Sequence, residues 1–243
     1  MDVQTGLFEE RAKDFYEGFF FFITNGRPKI VVKIAQSLDG RINARPGVPA
    51  EITGVDARKH SHAMRAKADA ILIGGRTLRT DDPDLTPRLV PGPVPDTIVL
   101  TRRKKFDPRY RLFSTNRASQ SIVLSTAHGK IQGLPSFVRQ MHLPSQKADK
   151  ALAHSLMQVF IEKGYHKVLV EGGRGVWTPF LNAGLCDVFC LFTAPKLLPE
   201  GERWDENLRP GWVKTLEFHR FTPFGSDVLA EFYNVHRNHS GGG

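Results

Sequence analysis

The sequence predicts an α/β fold built on a mostly parallel central sheet, with helices on both faces and an antiparallel edge. Short apolar runs rich in β-branched residues, typical of buried strands, alternate with segments of helical spacing up to residue 194. Beyond that point strand-like segments follow one another without an intervening helix, which is typical of antiparallel pairing. The chain has 243 residues, 40% of them hydrophobic and 24% charged, which is the composition of a globular protein.

The first half of the chain begins with an arm, residues 1–27, in which helical spacing is expected over residues 12–22. A turn of Asn, Gly, Arg and Pro ends this segment. A helix is predicted from Thr53, as its N-cap, to about Lys67, because a threonine hydroxyl accepts hydrogen bonds from free helical N–H groups. An Asp- and Pro-rich loop is expected over residues 77–88. Buried strands are predicted at residues 29–35, 70–74, 97–100 and 121–124.

The second half continues the alternation and then closes with two paired strands. Helical spacing predicts a helix over residues 148–164, with Gly164 as its C′ residue, and another over residues 175–183. The chain has no internal repeat and no interior linker, so one domain is expected over residues 28–237, followed by a flexible tail at residues 238–243. Strands are predicted near Met141 and at residues 167–171, 187–194, 214–219 and 228–235.

Composition and charge argue against several classes of protein. The longest apolar stretch, Gly18–Thr24, is far shorter than the roughly 20 residues that cross a bilayer, and the first residues lack the order of a signal peptide. A cytoplasmic protein without a membrane partner is expected, with Cys186 and Cys190 as buried free thiols rather than a single disulfide. The net charge is +9, but the basic residues are scattered and no nucleic-acid motif accompanies them. Phosphorylated small molecules fit this charge as well, and a partner of that kind is expected here rather than a nucleic acid.

Glycines follow the predicted strand at residues 167–171, at the point where a helix is expected to begin. Gly172, Gly173 and Gly175 would let a phosphate approach the backbone, and a helix N-terminus offers unpaired N–H groups with partial positive charge. A tight turn without a ligand would use the same residues, so the pattern alone leaves both interpretations open. Glu171, at the carboxyl tip of the strand, stands where open α/β sheets hold ligand-contacting residues.

Charged residues at two further positions, in a loop and within a strand, are not explained by the burial pattern of the predicted strands. Adjacent carboxylates at Asp81 and Asp82 follow a strand and are suited either to ribose hydroxyls or to capping a turn. Lys33 interrupts an apolar strand, and a buried ammonium group needs a partner or a ligand unless the strand lies at an edge. The spacing of the histidines and cysteines matches no zinc site, so no metal is expected. The serine-hydrolase motif is absent from the sequence, which argues against a serine hydrolase.

Several short motifs occur in order along the chain: Lys33–Arg41, Ile52–Thr53, Arg65–Ala66, Asp69–Leu72, Thr77, Asp81–Pro83, Leu85–Thr86, Arg88, Val170–Gly173, Leu181–Leu185 with Asp187, and Ala194–Leu198. Together they resemble the reductase domain of the bifunctional riboflavin-biosynthesis deaminase/reductase family, over residues 27–235. The resemblance implies a dihydrofolate-reductase-like three-layer sandwich and a homodimer. The deaminase domain of that family has no counterpart in this sequence.

The resemblance also implies an activity and a site. The activity is NADPH-dependent reduction of the ribosyl group of a 5-amino-6-(5-phosphoribosylamino)uracil-type intermediate to a ribityl chain, in which positioning and charge placement dominate the catalysis. The implied catalytic residues are Lys33, Glu171 and Asp81, with Lys33 or Glu171 assisting proton transfer. The substrate would be bound by Arg65, Leu85 and Arg88, with the two arginines on its phosphate. The cofactor would be bound by Ala35, Thr53, Thr77, Asp81, Gly172, Gly173, Arg174, Gly175 and Val176. From charge alone, Arg102 or Arg103 would favour the 2′-phosphate of NADPH.

Two positions depart from the family's pattern. Where the family commonly has Ser-x-Trp-Ile-Thr, this sequence has Pro49 in place of the serine and Glu51 in place of the aromatic residue. Glu51 would also bring negative charge near an anionic ligand. Two alternatives to a riboflavin-pathway reductase therefore stay open: a related NADPH-dependent reductase of a different pterin or pyrimidine, and a non-catalytic nucleotide-binding protein on the same fold.

Overall fold

One sheet of nine strands organises the chain. It is seen in a computed structural model that describes residues 9, 12, 16–113, 120–127, 129–146 and 148–235. The strands are β1 Lys29–Ser37, β2 Ala70–Gly74, β3 Asp96–Thr101, β4 Ser121–Ser125, β5 Arg139–His142, β6 Lys167–Glu171, β7 Val188–Ala194, β8 Leu216–Phe224 and β9 Asp227–Asn234. The helices are α1 Glu17–Asn25, α2 Val55–Ala66, α3 Gly75–Asp81, α4 Asp149–Glu162 and α5 Arg174–Asn182. Single 3-10 turns lie at Arg111–Phe113 and Trp212–Thr215.

The sheet has the strand order β5-β4-β3-β2-β6-β1-β7-β9-β8. Every pair from β5 to β7 is parallel, whereas β7, β9 and β8 pair in antiparallel fashion, which confirms the predicted fold class. Lys33 of β1 stands opposite Glu171 of β6 on one side and Cys190 of β7 on the other. Cys186 and Cys190 are buried and free, as predicted.

Helices on both faces of the sheet produce three layers. Successive residues of a strand point to opposite faces, so Ile30 and Val31 of β1 belong to different cores. Phe160 of α4 stacks on Phe180 of α5 in the core that contains Ile30. Leu78 of α3 lies in the core that contains Val31. The predicted three-layer arrangement is therefore confirmed.

Two local predictions are wrong. Thr53 is not the N-cap of α2, because Gly54 occupies that position and donates its N–H to Asp227 Oδ2 at 2.6 Å. Residues 77–88 are not a loop throughout, because the first of them belong to α3, which ends at Asp81. The helix is only 7 residues long, so it shows too little periodicity for its sequence to distinguish it from a polar loop.

Helix α1 lies at the amino end of the sheet. It spans Glu17–Asn25; Ala12, where the predicted helix begins, is helical as well, and residues 13–15 lie outside the described part of the chain. Glu17 forms ion pairs with Lys29 and Lys167, the first residues of two adjacent strands. The strands run from this edge towards Lys33 and Glu171, so α1 and those two residues occupy opposite edges. The predicted tail at residues 238–243 also lies outside the described part.

Candidate active site

A cleft of about 970 Å³ opens at the carboxyl edge of the parallel strands. Helix α3 follows β2 directly, and α5 follows β6 after two glycines, so both helices begin at this edge. The predicted site residues that line the cleft are Lys33, Ala35, Thr53, Arg65, Thr77, Asp81, Leu85, Arg102, Glu171, Gly172, Gly173, Arg174, Gly175 and Val176. Arg88, the other predicted substrate-binding residue, does not line the cleft; it is solvent-exposed and follows Leu85 on the same loop.

A charged cluster at the base of the cleft consists of Lys33, Arg65 and Glu171. Glu171 accepts two hydrogen bonds from Arg65, from Nε at 2.9 Å and from Nη2 at 2.7 Å. Lys33 is not at an edge, because β1 lies between β6 and β7, and its Nζ lies 5.6 Å from the centre of the Phe192 ring. The cluster therefore contains two cations and one carboxylate within a largely buried space.

Burial and charge act differently on the members of this cluster. Burial by itself would raise the pKa of Glu171, but the charge and hydrogen bonds of Arg65, together with the charge of Lys33, lower that pKa to about 2. Burial lowers the pKa of Lys33, and the nearby Arg65 adds to this effect while Glu171 opposes it. Glu171 is consequently ionised at neutral pH, whereas Lys33 releases its proton more readily than an exposed lysine.

The turn between β6 and α5 requires glycine. Gly172 and Gly173 have φ angles of +77° and +83°, and a Cβ atom at Gly172 would lie 2.8 Å from Cγ2 of Thr77. Among the described residues, no side chain caps the N-terminus of α5, which begins at Arg174. Its first N–H groups are thus available to an anion in the cleft. This bare backbone against Thr77 fits the phosphate groups of a dinucleotide.

The loop after α3 carries the remaining predicted substrate contacts. Asp81 accepts a hydrogen bond from the Thr80 hydroxyl at 2.6 Å, and desolvation in the cleft raises its pKa. Leu85 has a φ angle of +62°, which is unusual for a residue with a side chain, and it is buried in the core. The loop therefore has a defined conformation between Asp81 and Arg88.

Four charged residues that line the cleft follow no pattern that the sequence makes recognisable, namely Arg58, Arg76, Arg79 and Glu202. Arg76 and Arg79 lie on α3, the helix that was predicted as a loop, so their common helical face was not recognised. Glu202 accepts hydrogen bonds from Arg174 at 2.7 Å and from Arg76 at 3.2 Å, as well as from Asn43 at 2.6 Å. Glu202 lies far from its partners in the sequence, and no local pattern could identify it.

A group of arginines at the β3 end of the cleft differs from the charged cluster because it lacks a neutralising carboxylate. Arg79, Arg102 and Arg103 line the cleft, and within the described ranges no carboxylate forms an ion pair with any of them. Burial lowers the pKa of Arg79, and the like charge of Arg103 lowers it further. Such a group of unneutralised guanidinium ions is suited to a polyanionic ligand.

The two departures from the family pattern also lie on the cleft. Pro49 and Glu51 line it, and the Glu51 carboxylate pairs with Arg58 at 2.8 Å. Lys196 donates a hydrogen bond to the backbone carbonyl of Glu51 at 2.5 Å. The Glu51 charge is therefore partly neutralised by a residue of its own chain.

The described residues contain neither a metal centre nor a membrane-spanning helix. No group of three or more His, Cys, Asp or Glu side chains is arranged to hold a metal ion. No described helix combines the length and the apolar composition that a membrane crossing requires.

Comparison with known proteins connects this geometry to a family. The family model described as the RibD C-terminal domain matches residues 28–230. The riboflavin biosynthesis protein RibD of Aquifex aeolicus is 32% identical over 202 residues, which is 83% of this chain and 56% of that protein. RibD of Haemophilus influenzae is 29% identical over 81% of this chain and 55% of its own length. The chain thus spans about half the length of these relatives.

Solved structures give the same match. A Thermotoga maritima diaminohydroxyphosphoribosylaminopyrimidine deaminase/5-amino-6-(5-phosphoribosylamino)uracil reductase has a TM-score of 0.76 and 27% identity, over 94% of this chain and 63% of that one. The riboflavin biosynthesis reductase of Saccharomyces cerevisiae has a TM-score of 0.69 over 92% of this chain and 99% of that one. At 17% identity, the yeast comparison supports the fold alone.

Proposed function

The chain belongs to the RibD C-terminal domain family, and from this premise we propose that it is an NADPH-dependent reductase of riboflavin biosynthesis. Its substrate is an intermediate of the 5-amino-6-(5-phosphoribosylamino)uracil type, whose ribosyl group it reduces to a ribityl chain. The observation that carries the proposal is the cluster of Lys33, Arg65 and Glu171 beside a glycine turn in one cleft. This arrangement brings a proton-transfer group next to a phosphate-binding backbone.

Lys33 and Glu171 take different parts in the reaction. Opening the sugar ring requires a proton on the departing ring oxygen, and it leaves an imine-like C1′. Lys33 is suited to donate this proton, because burial lowers the pKa of its ammonium group. Glu171 stays ionised, since Arg65 and Lys33 hold its pKa at about 2, so it is suited to accept hydrogen bonds from sugar hydroxyls. Asp81 holds hydroxyl groups between substrate and cofactor.

The substrate phosphate is bound on the side of α2 and the loop that follows α3. Arg65 and Arg88 carry the positive charge that a phosphate needs, and Leu85 supplies packing or backbone contacts. Arg65 contacts Glu171 at the same time, so the phosphate-binding residue and the sugar-binding residue are physically linked.

The residues of the cleft fit a reduced nicotinamide dinucleotide, which supplies the hydride when it is bound. The glycine turn and the start of α5 are suited to its phosphates, with Thr77 packed against that turn. Arg102 and Arg103, which lack a carboxylate partner within the described ranges, favour the 2′-phosphate that distinguishes NADPH from NADH. The remaining contacts are assigned to Ala35, Thr53, Arg174, Gly175 and Val176.

A second candidate function is a related reductase of a different pterin or pyrimidine. The observation that favours it is the presence of Pro49 and Glu51 on the cleft, in place of a serine and an aromatic residue. A non-catalytic nucleotide-binding protein is the third possibility, and the charged cluster of Lys33 and Glu171 argues against it.

Turnover distinguishes these functions. Purified protein is expected to oxidise NADPH in the presence of the deaminated ribosylaminopyrimidine phosphate. Turnover only with other pteridines or pyrimidines would favour the second candidate. NADPH binding in a thermal-shift titration, without turnover on any of these compounds, would favour the third, because a ligand of the folded state raises stability whether or not it reacts.

We also propose that the protein is cytoplasmic, forms a homodimer and has one domain over residues 28–237. Exposed apolar side chains support an interface, namely Phe20 and Ile23 on α1 and Phe218 and Phe221 on the edge strand β8. Sedimentation equilibrium of the purified protein tests the dimer. A single species with the mass of one chain at all concentrations would contradict it.

A further inference from the structure

His62 is a buried, ionisable residue that the proposed reaction does not use. It lies on α2, three residues before Arg65, and its side chain therefore points to the same face of the helix. It is 5% exposed. A buried imidazole in this position needs an explanation, because polar groups removed from water are normally held by specific partners.

The partner of His62 is the turn that carries Arg88. The amide of Val90 donates to the carbonyl of Pro87 at 3.1 Å, which makes Arg88 and Leu89 the central residues of a β-turn. The amide of the second central residue is not used by such a turn. Here Leu89 N–H donates to Nδ1 of His62 at 3.4 Å.

A second contact fixes the same loop against the same helix. A Cβ atom on Gly92 would lie 2.6 Å from Cβ of Ala66, so the backbone of the loop lies directly on the last turn of α2. The loop is thus attached to α2 at two points, one polar at His62 and one steric at Gly92.

The charges around His62 keep it in the form that can accept this hydrogen bond. Burial, followed by the positive charges of Arg65 and Arg88, lowers the pKa of His62 to about 4. The imidazole is neutral at pH 7, and Nδ1 has a free lone pair for Leu89 N–H. A protonated imidazole would have no acceptor and would repel both arginines.

We propose that His62 is a positioning residue of the substrate site, which sets the turn carrying Arg88 relative to the helix carrying Arg65. The two arginines lie on different elements, and the His62 side chain joins those elements through the Leu89 N–H group. The inference rests on the proposed function, in which both arginines bind the substrate phosphate. His62 acts through the turn and takes no part in hydride or proton transfer.

Two substitutions of similar polarity separate this role from simple packing. In His62→Asn, the amide oxygen takes the place of Nδ1 and retains an acceptor for Leu89. In His62→Gln, the polar end reaches the place of Nε2 and leaves that amide without its acceptor. His60→Gln, on the same helix but packed against Phe192 and Phe224, is the matched control.

The first readout is binding of ribose 5-phosphate by titration calorimetry, with ribose as the probe that lacks the phosphate. His62→Gln is expected to weaken ribose 5-phosphate binding about fivefold to tenfold, in keeping with one lost hydrogen bond, while His62→Asn and His60→Gln stay within about twofold of wild type. The second readout is kinetic: His62→Gln is expected to raise KM for the phosphorylated substrate and to leave kcat and the NADPH Kd within about twofold.

The outcomes separate the inference from the function on which it rests. Equal binding by the Asn and Gln variants, or a loss in kcat without a change in KM, would overturn the positioning role alone. A wild-type protein that binds no ribose 5-phosphate and turns over no phosphorylated pyrimidine would contradict the proposed function, and the inference with it.

Discussion

Arg65 and Glu171 lie 106 positions apart in the sequence and meet in a two-pronged ion pair, with hydrogen bonds of 2.9 and 2.7 Å. The pair joins helix α2 to the carboxyl tip of strand β6, where the glycine turn begins. A bidentate contact of this kind fixes the orientation of both side chains. The acidic residue at the centre of the cleft is therefore held in place by a residue assigned to the substrate phosphate.

Replacement of Glu171 by glutamine tests the role of this carboxylate. Glu171→Gln is expected to lower kcat about 100-fold or more, because a neutral amide neither balances the charge of Lys33 nor accepts both hydrogen bonds that Arg65 donates. Steady-state NADPH oxidation measures the effect. Glu217→Gln, on the exposed edge strand β8, is the control and should keep the wild-type rate. A Glu171→Gln variant with full turnover would remove this residue from the mechanism.

Replacement of Gly172 by alanine tests the glycine turn. The substitution forces a side chain into a φ of +77° and into contact with Thr77 at 2.8 Å. A destabilisation of about 1–3 kcal/mol is expected, together with weaker NADPH binding. Gly175→Ala is the control for unfolding free energy, because its φ is ordinary and nothing lies within 4 Å of the added Cβ. Similar unfolding free energies for the two variants would show that the turn tolerates a side chain.

Replacement of Arg79 by leucine tests the cation group at the β3 end of the cleft. Arg79→Leu is expected to weaken NADPH binding about tenfold and to change NADH binding by less than about twofold, because only NADPH carries the 2′-phosphate. Arg109→Leu is the control, since Arg109 is exposed and pairs with Asp107. Dissociation constants from fluorescence titration measure both effects.

The same titration applies to Arg102→Ala and Arg103→Ala. Each is expected to reduce the preference for NADPH, because each removes a charge from the same group. An unchanged ratio of NADPH to NADH affinity in both variants would mean that these arginines do not recognise the 2′-phosphate.

The pH dependence of stability tests the burial of His62. The folded state holds the pKa of His62 at about 4, below the ordinary value of 6.5, so the unfolded chain binds the proton first as the pH falls. The contribution of His62 to the free energy of unfolding should therefore decrease as the pH falls from 6.5 to 4 and change little below pH 4. Urea unfolding at a series of pH values measures it.

The Asn variant at His62 isolates this contribution from other titrating groups. Glu17 and Glu171 have pKa values lowered to about 2, so their contributions are lost at lower pH, below their ordinary value of 4.5. His62→Asn should consequently show a flatter curve than wild type between pH 6.5 and pH 4. Parallel curves for the two proteins in that window would contradict a depressed pKa at His62.

The strands were predictable because a buried strand requires a short run of apolar residues, which local composition shows directly. Ala70–Gly74 and Lys167–Glu171 were predicted with the observed bounds, since runs of apolar and β-branched residues between polar turns have few alternatives. Helix α3 was missed because a 7-residue helix with two buried positions has no measurable period. Sequence alone favours Thr53 as the cap, because no local pattern reveals that Asp227 satisfies the Gly54 amide from across the fold.

The site was predictable only in part. Its glycine turn is visible in the sequence, and the resemblance to a family supplied Arg65 and Asp81. The position of Lys33 beside Glu171 depends on β6 pairing with β1, a strand order that no local pattern contains. Glu202 depends on three segments meeting in space. Residues whose role depends on tertiary contacts thus cannot be identified from the spacing of residues in the sequence.

The ion pairs of Glu17 have a practical consequence for handling the protein. They hold α1 against Lys29 and Lys167, at the edge of the sheet opposite to the cleft. Strands β1 and β6 run about 3.3 Å per residue from that edge to the cleft, so the first turn of α1 stands more than one strand length away from Glu171. An affinity resin or sensor surface coupled through α1 would therefore leave the cleft facing bulk solution, and immobilised enzyme should keep access to substrate.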